Sequence, residues 1–240
     1  MRYILEIAAQ VLKDTYAVLF IILTAAFTLL ASVFSFKAWR KRCAGDLAAA
    51  LAYFGCFFLL AFAAPLAWMR VRGSPSPASV GLALGNWRAG LILVLIGIPV
   101  AVLSHFTGRK SMGDFYPFSK QAMSRPAVFL GYEAAYLILY YVSWEFAFRG
   151  VMLFSLAALL PQTLAGAFIA ILAQTALSTV FHIGHPDSEI SAALLAGVAF
   201  GIIALSTGSI LYSIVIHAMI GIFEDSMAYA RRHGESRARA

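Results

Sequence analysis

The chain has 240 residues, 62% of them hydrophobic and only 12% charged, with a formal net charge of +7 and a mean hydropathy of +0.84. No soluble domain of this size could bury so much apolar surface, which excludes a water-soluble enzyme, a disordered chain and a secreted disulfide scaffold. The composition predicts an all-α, polytopic transmembrane helical bundle, with its positive charge gathered between apolar runs as membrane topology requires and not spread as a nucleic-acid surface.

A helical span needs about 20 mostly apolar residues. Residues 1–15 are mildly amphipathic and are expected at the interface. The first span, 17–36, is followed at once by Lys37, Arg40, Lys41 and Arg42. Because this basic cluster follows the apolar run and no small-residue cleavage site appears, the run reads as a retained helix and not a signal peptide. The second span is 47–69, and a loop with Arg70, Arg72, Pro75, Pro77 and Arg88 comes after it. The third, 89–106, leads into a polar connector with Arg109, Lys110, Lys120 and Arg125, ending at Pro126. The fourth run, 128–160, is interrupted by Glu145 and Arg149. At about 50 Å it is longer than a bilayer core needs, so it either projects into the cytoplasm or breaks near Gly150. The remaining runs are 164–181, 190–205 and 210–228, which makes seven spans, or eight if the fourth run breaks.

Seven spans place the N-terminus outside and the C-terminus in the cytoplasm, with most of the 18 Lys and Arg on the cytoplasmic side. The expected organisation is N-terminal helices and connector over 1–126, a core carrying the chemistry over 127–230, and a basic tail over 231–240. The tail residues Arg231, Arg232, Arg237 and Arg239 suit anionic lipid. Cys43 and Cys56 read as reduced thiols. Trp39, Trp68 and Trp87 lie near span ends as interfacial anchors, and Gly197 with Gly201 forms a small-xxx-small packing pair. Tyr140 and Tyr141 read as packing residues, with the lining of a substrate groove as the alternative.

Ionisable residues inside spans are costly and ask for a reason. From Val128 onward the set is Glu133, Glu145, Arg149, His182, His185, Glu189, His217, Glu224 and Asp225. Glu145 and Arg149 are four apart on one helix face and pair in a low dielectric; taken alone they read as an ion pair that fixes packing. His182 and His185, three apart near a helix end, can face one cavity. His217 lies roughly 10 Å below the start of its span and requires a partner. Asp225, two turns further on along the same face, either orients His217 indirectly or marks the cytoplasmic end of that helix, the second being the reading preferred. Three histidines and a glutamate raise zinc. However, HExxH and its fixed spacing are missing, and histidine serves equally as a general acid or base, so a metal-independent site is favoured and zinc is the alternative.

In this order the motifs resemble the CPBP intramembrane protease family, which includes CAAX prenyl endopeptidases and bacteriocin-processing or self-immunity proteins. The family pattern is EExxxR, then FxxxH, then HxxxN or HxxxD on separate helices. Glu145 and Arg149 match the second acid and the arginine, within Phe148-Arg149-Gly150. Phe181 and His185 match FxxxH, and His217 matches the last histidine; the resemblance covers about 132–228. Trp144 stands at the first acid, which in the family activates water, and Gly221 stands where a side chain helps hold the oxyanion. Both departures suit a branch with Trp-Glu at the first motif and His-x-Gly-x-Pro-x-x-Glu at the second, which His182, Gly184, Pro186 and Glu189 fit.

The resemblance implies a glutamic-type endopeptidase of the inner membrane, without a cofactor, acting on a membrane protein or peptide in the lipid bilayer; nucleic acid is not a partner. Glu145 is the first candidate base, assisted by His185. Glu189 is the substitute if pairing with Arg149 makes Glu145 structural. His217 or His182 would donate to the oxyanion. Two rivals stand beside this reading. One is a non-catalytic scaffold or immunity-like protein that retains the fold, favoured by Trp144 and Gly221. The other is a transporter using the polar cluster as an ion site.

Overall fold

Apolar runs in lipid satisfy their own backbone polar groups only as helices or closed barrels. Each of the seven runs is helical in the computed structural model, which describes residues 6, 13–112 and 116–238. Most of the expected interfacial segment, 1–5 and 7–12, and Arg239 of the tail lie outside the described residues.

Helix α1 (Thr15–Ala31) starts at Asp14, whose carboxylate accepts from the backbone N–H groups of Tyr16 and Ala17. The chain then bends by 48° into the short α2 (Phe36–Arg42), capped by Ser35. The run expected to be helical over 17–36 therefore divides at 32–35. Helix α3 (Asp46–Arg72) is continuous and contains a π-helical stretch, Phe58–Ala63. It is followed by α4 (Trp87–Met112), α5 (Pro126–Leu159), α6 (Leu164–Val180), α7 (Asp187–Thr207) and α8 (Leu211–Ala238).

Five helices are long and apolar enough to cross a membrane: α3, α4, α5, α7 and α8; the bent α1–α2 pair makes a sixth. Helix α6, at 17 residues, is apolar but shorter. Length and composition thus qualify five or six spans, and the expected seven counts the shorter α6 as well. The eight-span variant required a break at Gly150, but α5 runs through Gly150 without one. What the sequence read as a weak point is instead two π-helical stretches, Tyr136–Tyr141 and Phe146–Met152, which widen the helix and keep its course.

Helix α5 is the centre of the bundle, with every residue over 143–152 buried. Around it Leu23 and Phe27 of α1, Phe57 of α3, Phe148 of α5, Ile171 of α6, Ala204 of α7 and Ile214 of α8 share one core. The N-terminal helices thus pack into the same core as the later ones. The outer faces are apolar, as lipid contact requires: α4 exposes Leu91, Ile92, Leu95 and Leu103.

Close helix contacts use glycine. A Cβ on Gly197 would meet the Thr175 side chain, and one on Gly201 would meet Ile171 and Gln174. The Gln174 amide donates to the Gly197 carbonyl at 2.8 Å, so the small-xxx-small pair joins α7 to α6. The Trp39, Trp68 and Trp87 rings each lie beside an arginine (Arg42, Arg72 and Arg88, each 5.4 Å from the ring centre), an amphipathic grouping suited to an interface. Cys43 and Cys56 are free thiols.

Candidate active site

The buried middle of α5 brings two charges into the core. Glu145 is 0% exposed and Arg149 2% exposed. Arg149 Nη1 lies 3.2 Å from Glu145 Oε1. The same oxygen accepts from His217 Nδ1 at 2.7 Å, across from α8. His217 thus finds the partner that its depth demands, 72 positions away in the chain. The Arg149 guanidinium also sits over the Phe200 ring of α7, at 5.4 Å. Asp225 does not mark a helix end: it is 1% exposed and faces Glu133 in the interior.

The second group is built by the turn between α6 and α7. Gly184 takes φ +99°, a backbone conformation that side-chain-bearing residues rarely adopt, and this reverses the chain between the two histidines. His182 Nδ1 donates to the Ser178 carbonyl at 2.9 Å. Burial pushes the His182 imidazole down to about 4, so the ring is neutral at ordinary pH. His185 Nδ1 donates to Glu189 Oε1 at 2.8 Å. Pro186 opens α7, and the Glu189 N–H bonds back to its carbonyl at 2.8 Å, which holds the carboxylate beside His185. The Tyr116 hydroxyl, from the connector before α5, donates to Glu189 Oε1 at 2.6 Å. Glu189 Oε2 is buried and has no hydrogen bond among the described residues.

One cavity of about 570 Å³ joins these groups. His182, His185, Glu189 and His217 line it, with Tyr140, Tyr141 and Trp144 on the α5 side and Ala196, Ala199 and Phe200 on the α7 side. Glu145 and Arg149 are not in its wall; they stand behind His217. The six residues singled out from the sequence are thus divided: four face the cavity and two support a third element. Trp144 packs its ring against Phe57 (5.9 Å), Tyr140 (5.8 Å) and His182 (5.2 Å). No carboxylate occupies that wall position, and Glu189 supplies one from α7.

Three further contacts could not be paired from sequence spacing. Tyr116 reaches Glu189 from a polar connector 73 positions earlier. The Tyr141 hydroxyl occupies the space beside Gly221, so that a Cβ there would overlap it. His105 of α4 is buried and its Nδ1 lies 2.8 Å from Glu224 Oε2 of α8. Only the last carried a hint, as an ionisable group at the end of each of two apolar runs.

Chemically, carboxylate–imidazole pairs from separate helices meet at one partly open, mostly apolar cavity, which Glu224 also lines. Such pairs fix the tautomer and direction of the ring and suit general acid–base work on a bound water. Among the described residues, no three His, Cys, Asp or Glu side chains are placed to hold a metal ion.

Residues 126–223 match the model of the Rce1-like family, described as type II CAAX prenyl endopeptidase Rce1-like. The match runs from the start of α5 into α8 and takes in Glu145, Arg149, His182, His185, Glu189 and His217. It bears out, over that segment, the resemblance read from the motifs. No curated protein and no solved structure matched the chain.

Proposed function

We propose that this chain, with its CAAX-endopeptidase segment at the centre of a membrane bundle, is an intramembrane glutamic-type endopeptidase. Its substrate is a membrane-associated or lipid-anchored protein or peptide. The observation that carries the reading is Glu189: a partly buried carboxylate in the cavity wall, oriented by His185 and Tyr116 through Oε1, with no hydrogen bond to Oε2 among the described residues. Glu189 is therefore the base, in place of Glu145. A water held between Glu189 Oε2 and His217 gives one proton to Glu189, and its oxygen attacks the peptide carbonyl carbon. When the tetrahedral intermediate collapses, the C–N bond breaks and Glu189 returns the proton to the leaving nitrogen. Glu145 is a positioning residue: it takes the Nδ1 proton of His217 and leaves Nε2 as an acceptor for the water's second hydrogen. Arg149 balances the buried charge on Glu145.

The enzyme lies in the inner membrane with its N-terminus outside and C-terminus in the cytoplasm, following the basic clusters; this orientation has the bent α1–α2 pair and the shorter α6 cross the membrane beside the five long helices. The mechanism draws on no metal, so cleavage is expected to persist in excess EDTA; loss of activity restored by zinc would revive the metal alternative.

The test uses the full chain, purified in detergent, and a farnesylated, internally quenched peptide ending in Cys-aliphatic-aliphatic-X. Wild type is expected to cut it. Glu189→Gln and His185→Ala are expected to lower kcat by at least about 10²-fold, the scale of general acid–base assistance, at unchanged thermal unfolding. Full activity in Glu189→Gln would remove Glu189 as the base. An uncut peptide, together with an unchanged membrane proteome in cells carrying His185→Ala, would favour the scaffold.

A further inference from the structure

An attack on a peptide carbonyl creates a negative oxygen that needs a hydrogen-bond donor already in place. The histidines of this cavity do not supply one while neutral. His182 spends its Nδ1 proton on the Ser178 carbonyl and His217 spends its own on Glu145, so each Nε2 is an acceptor. The Tyr116 proton is directed at Glu189. Tyr141 is placed differently. It is 4% exposed, it lines the cavity, and its ring meets His217 edge to face at 4.9 Å. Its hydroxyl fills the space where a side chain at residue 221 would begin. Residue 221 is four after His217, one helical turn along the same face of α8. The end of a π-helical stretch, Tyr136–Tyr141, carries the ring across to that helix.

We propose that the Tyr141 hydroxyl is the oxyanion donor of this site, standing at the position that Gly221 leaves open. This rests on the peptidase reading above. As the water oxygen bonds to the carbonyl carbon, the carbonyl electron pair moves to its oxygen, and Tyr141 donates a hydrogen bond to it without giving up the proton. When the C=O bond re-forms, the C–N bond breaks and Glu189 protonates the nitrogen; the net change is addition of one water across the peptide bond. Gly221 is required because any larger residue would displace the donor.

The full chain in detergent, with the farnesylated quenched peptide as probe, tests this. Tyr141→Phe removes one oxygen and keeps the ring. It is expected to lower kcat by about 10²- to 10³-fold, the range for loss of one oxyanion donor, with KM and thermal unfolding little changed. A second comparison separates donation from packing. Tyr141→Leu is expected to be as impaired, and adding Gly221→Asn to it to restore kcat at least tenfold, because a carboxamide then has room one turn after His217. Gly221→Asn alone is expected to be impaired, since it collides with the tyrosine. If wild type cuts the peptide and Tyr141→Phe keeps wild-type kcat, the donor role is overturned and the peptidase reading stands. If Tyr141→Phe loses kcat but the double variant gains nothing over Tyr141→Leu, the assignment at residue 221 is overturned. If wild type leaves the peptide intact, the peptidase reading fails on this probe and the donor role goes with it.

Discussion

At the scale of single residues, the site separates a fully buried glutamate from a partly buried one. Glu145 is held at one oxygen by Arg149 and His217 together, and it lies behind the cavity. Glu189 lines the cavity; in both glutamates Oε2 has no hydrogen bond among the described residues, so it is the cavity that sets Glu189 apart. Replacing either should reduce cleavage, but by different routes. Glu145→Gln leaves Arg149 as an uncompensated buried charge and should lower thermal stability as well as kcat; losing one partner of a buried pair typically costs about 3–5 kcal/mol. Glu189→Gln should lower kcat alone. Thermal unfolding and kinetics measured on both variants make the distinction, and equal stability losses would contradict it. His182 gives a prediction in pH. Its ring, ordinarily near 6.5, is pushed down to about 4 by burial, so the unfolded chain binds a proton more readily than the folded one. Stability should therefore fall as pH drops from about 6.5 to about 4. In His182→Asn that pH dependence should shrink, as followed by thermal unfolding at pH 7 and at pH 4.5.

At the scale of elements, glycines decide how near the helices come. Gly197 on α7 faces the Thr175 side chain of α6, whereas a Cβ on Gly131 of α5 would meet nothing within 4 Å. Gly197→Val should lower stability by about 1–3 kcal/mol, the usual penalty of overpacking, and widen the wall of the cavity. Gly131→Ala should be neutral or slightly stabilising, because alanine is the better helix former. Thermal melts of the two proteins check this, and a neutral Gly197→Val would mean that α6 and α7 are not held as described. The π-helical stretches matter at this scale too: one carries Tyr141 and the other Arg149. Hydrophobic periodicity does not report them, since a widened turn leaves the apolar count of the run unchanged. This is why a break at Gly150 looked plausible in the sequence and is absent in the fold.

At the scale of the whole molecule, the N-terminal helices pack into the same body as the candidate site. Phe27 of α1 stacks on Phe148 of α5 at 4.9 Å and meets Phe181, next to His182, at 4.6 Å. Tyr116 enters the site from the connector. A fragment of residues 127–240 should accordingly insert but not cleave, and co-expression with residues 1–126 should recover activity; full activity in the fragment alone would show that the two regions function independently. The sequence by itself determined the environment, the helical class, and one local pair. Hydropathy integrates over 20 residues without knowledge of neighbours, and Glu145 with Arg149 meets on a single helix by its 3.6-residue period. It also grouped the chemistry into the later helices, because ionisable residues are rare in apolar runs. Only the tertiary structure decided which imidazole takes which carboxylate, that Glu189 and not Glu145 lines the cavity, and that a tyrosine fills the place at Gly221. Those assignments join residues up to 119 positions apart, as His105 and Glu224 are. They follow from how helices rotate and approach one another, which no repeat in the chain encodes.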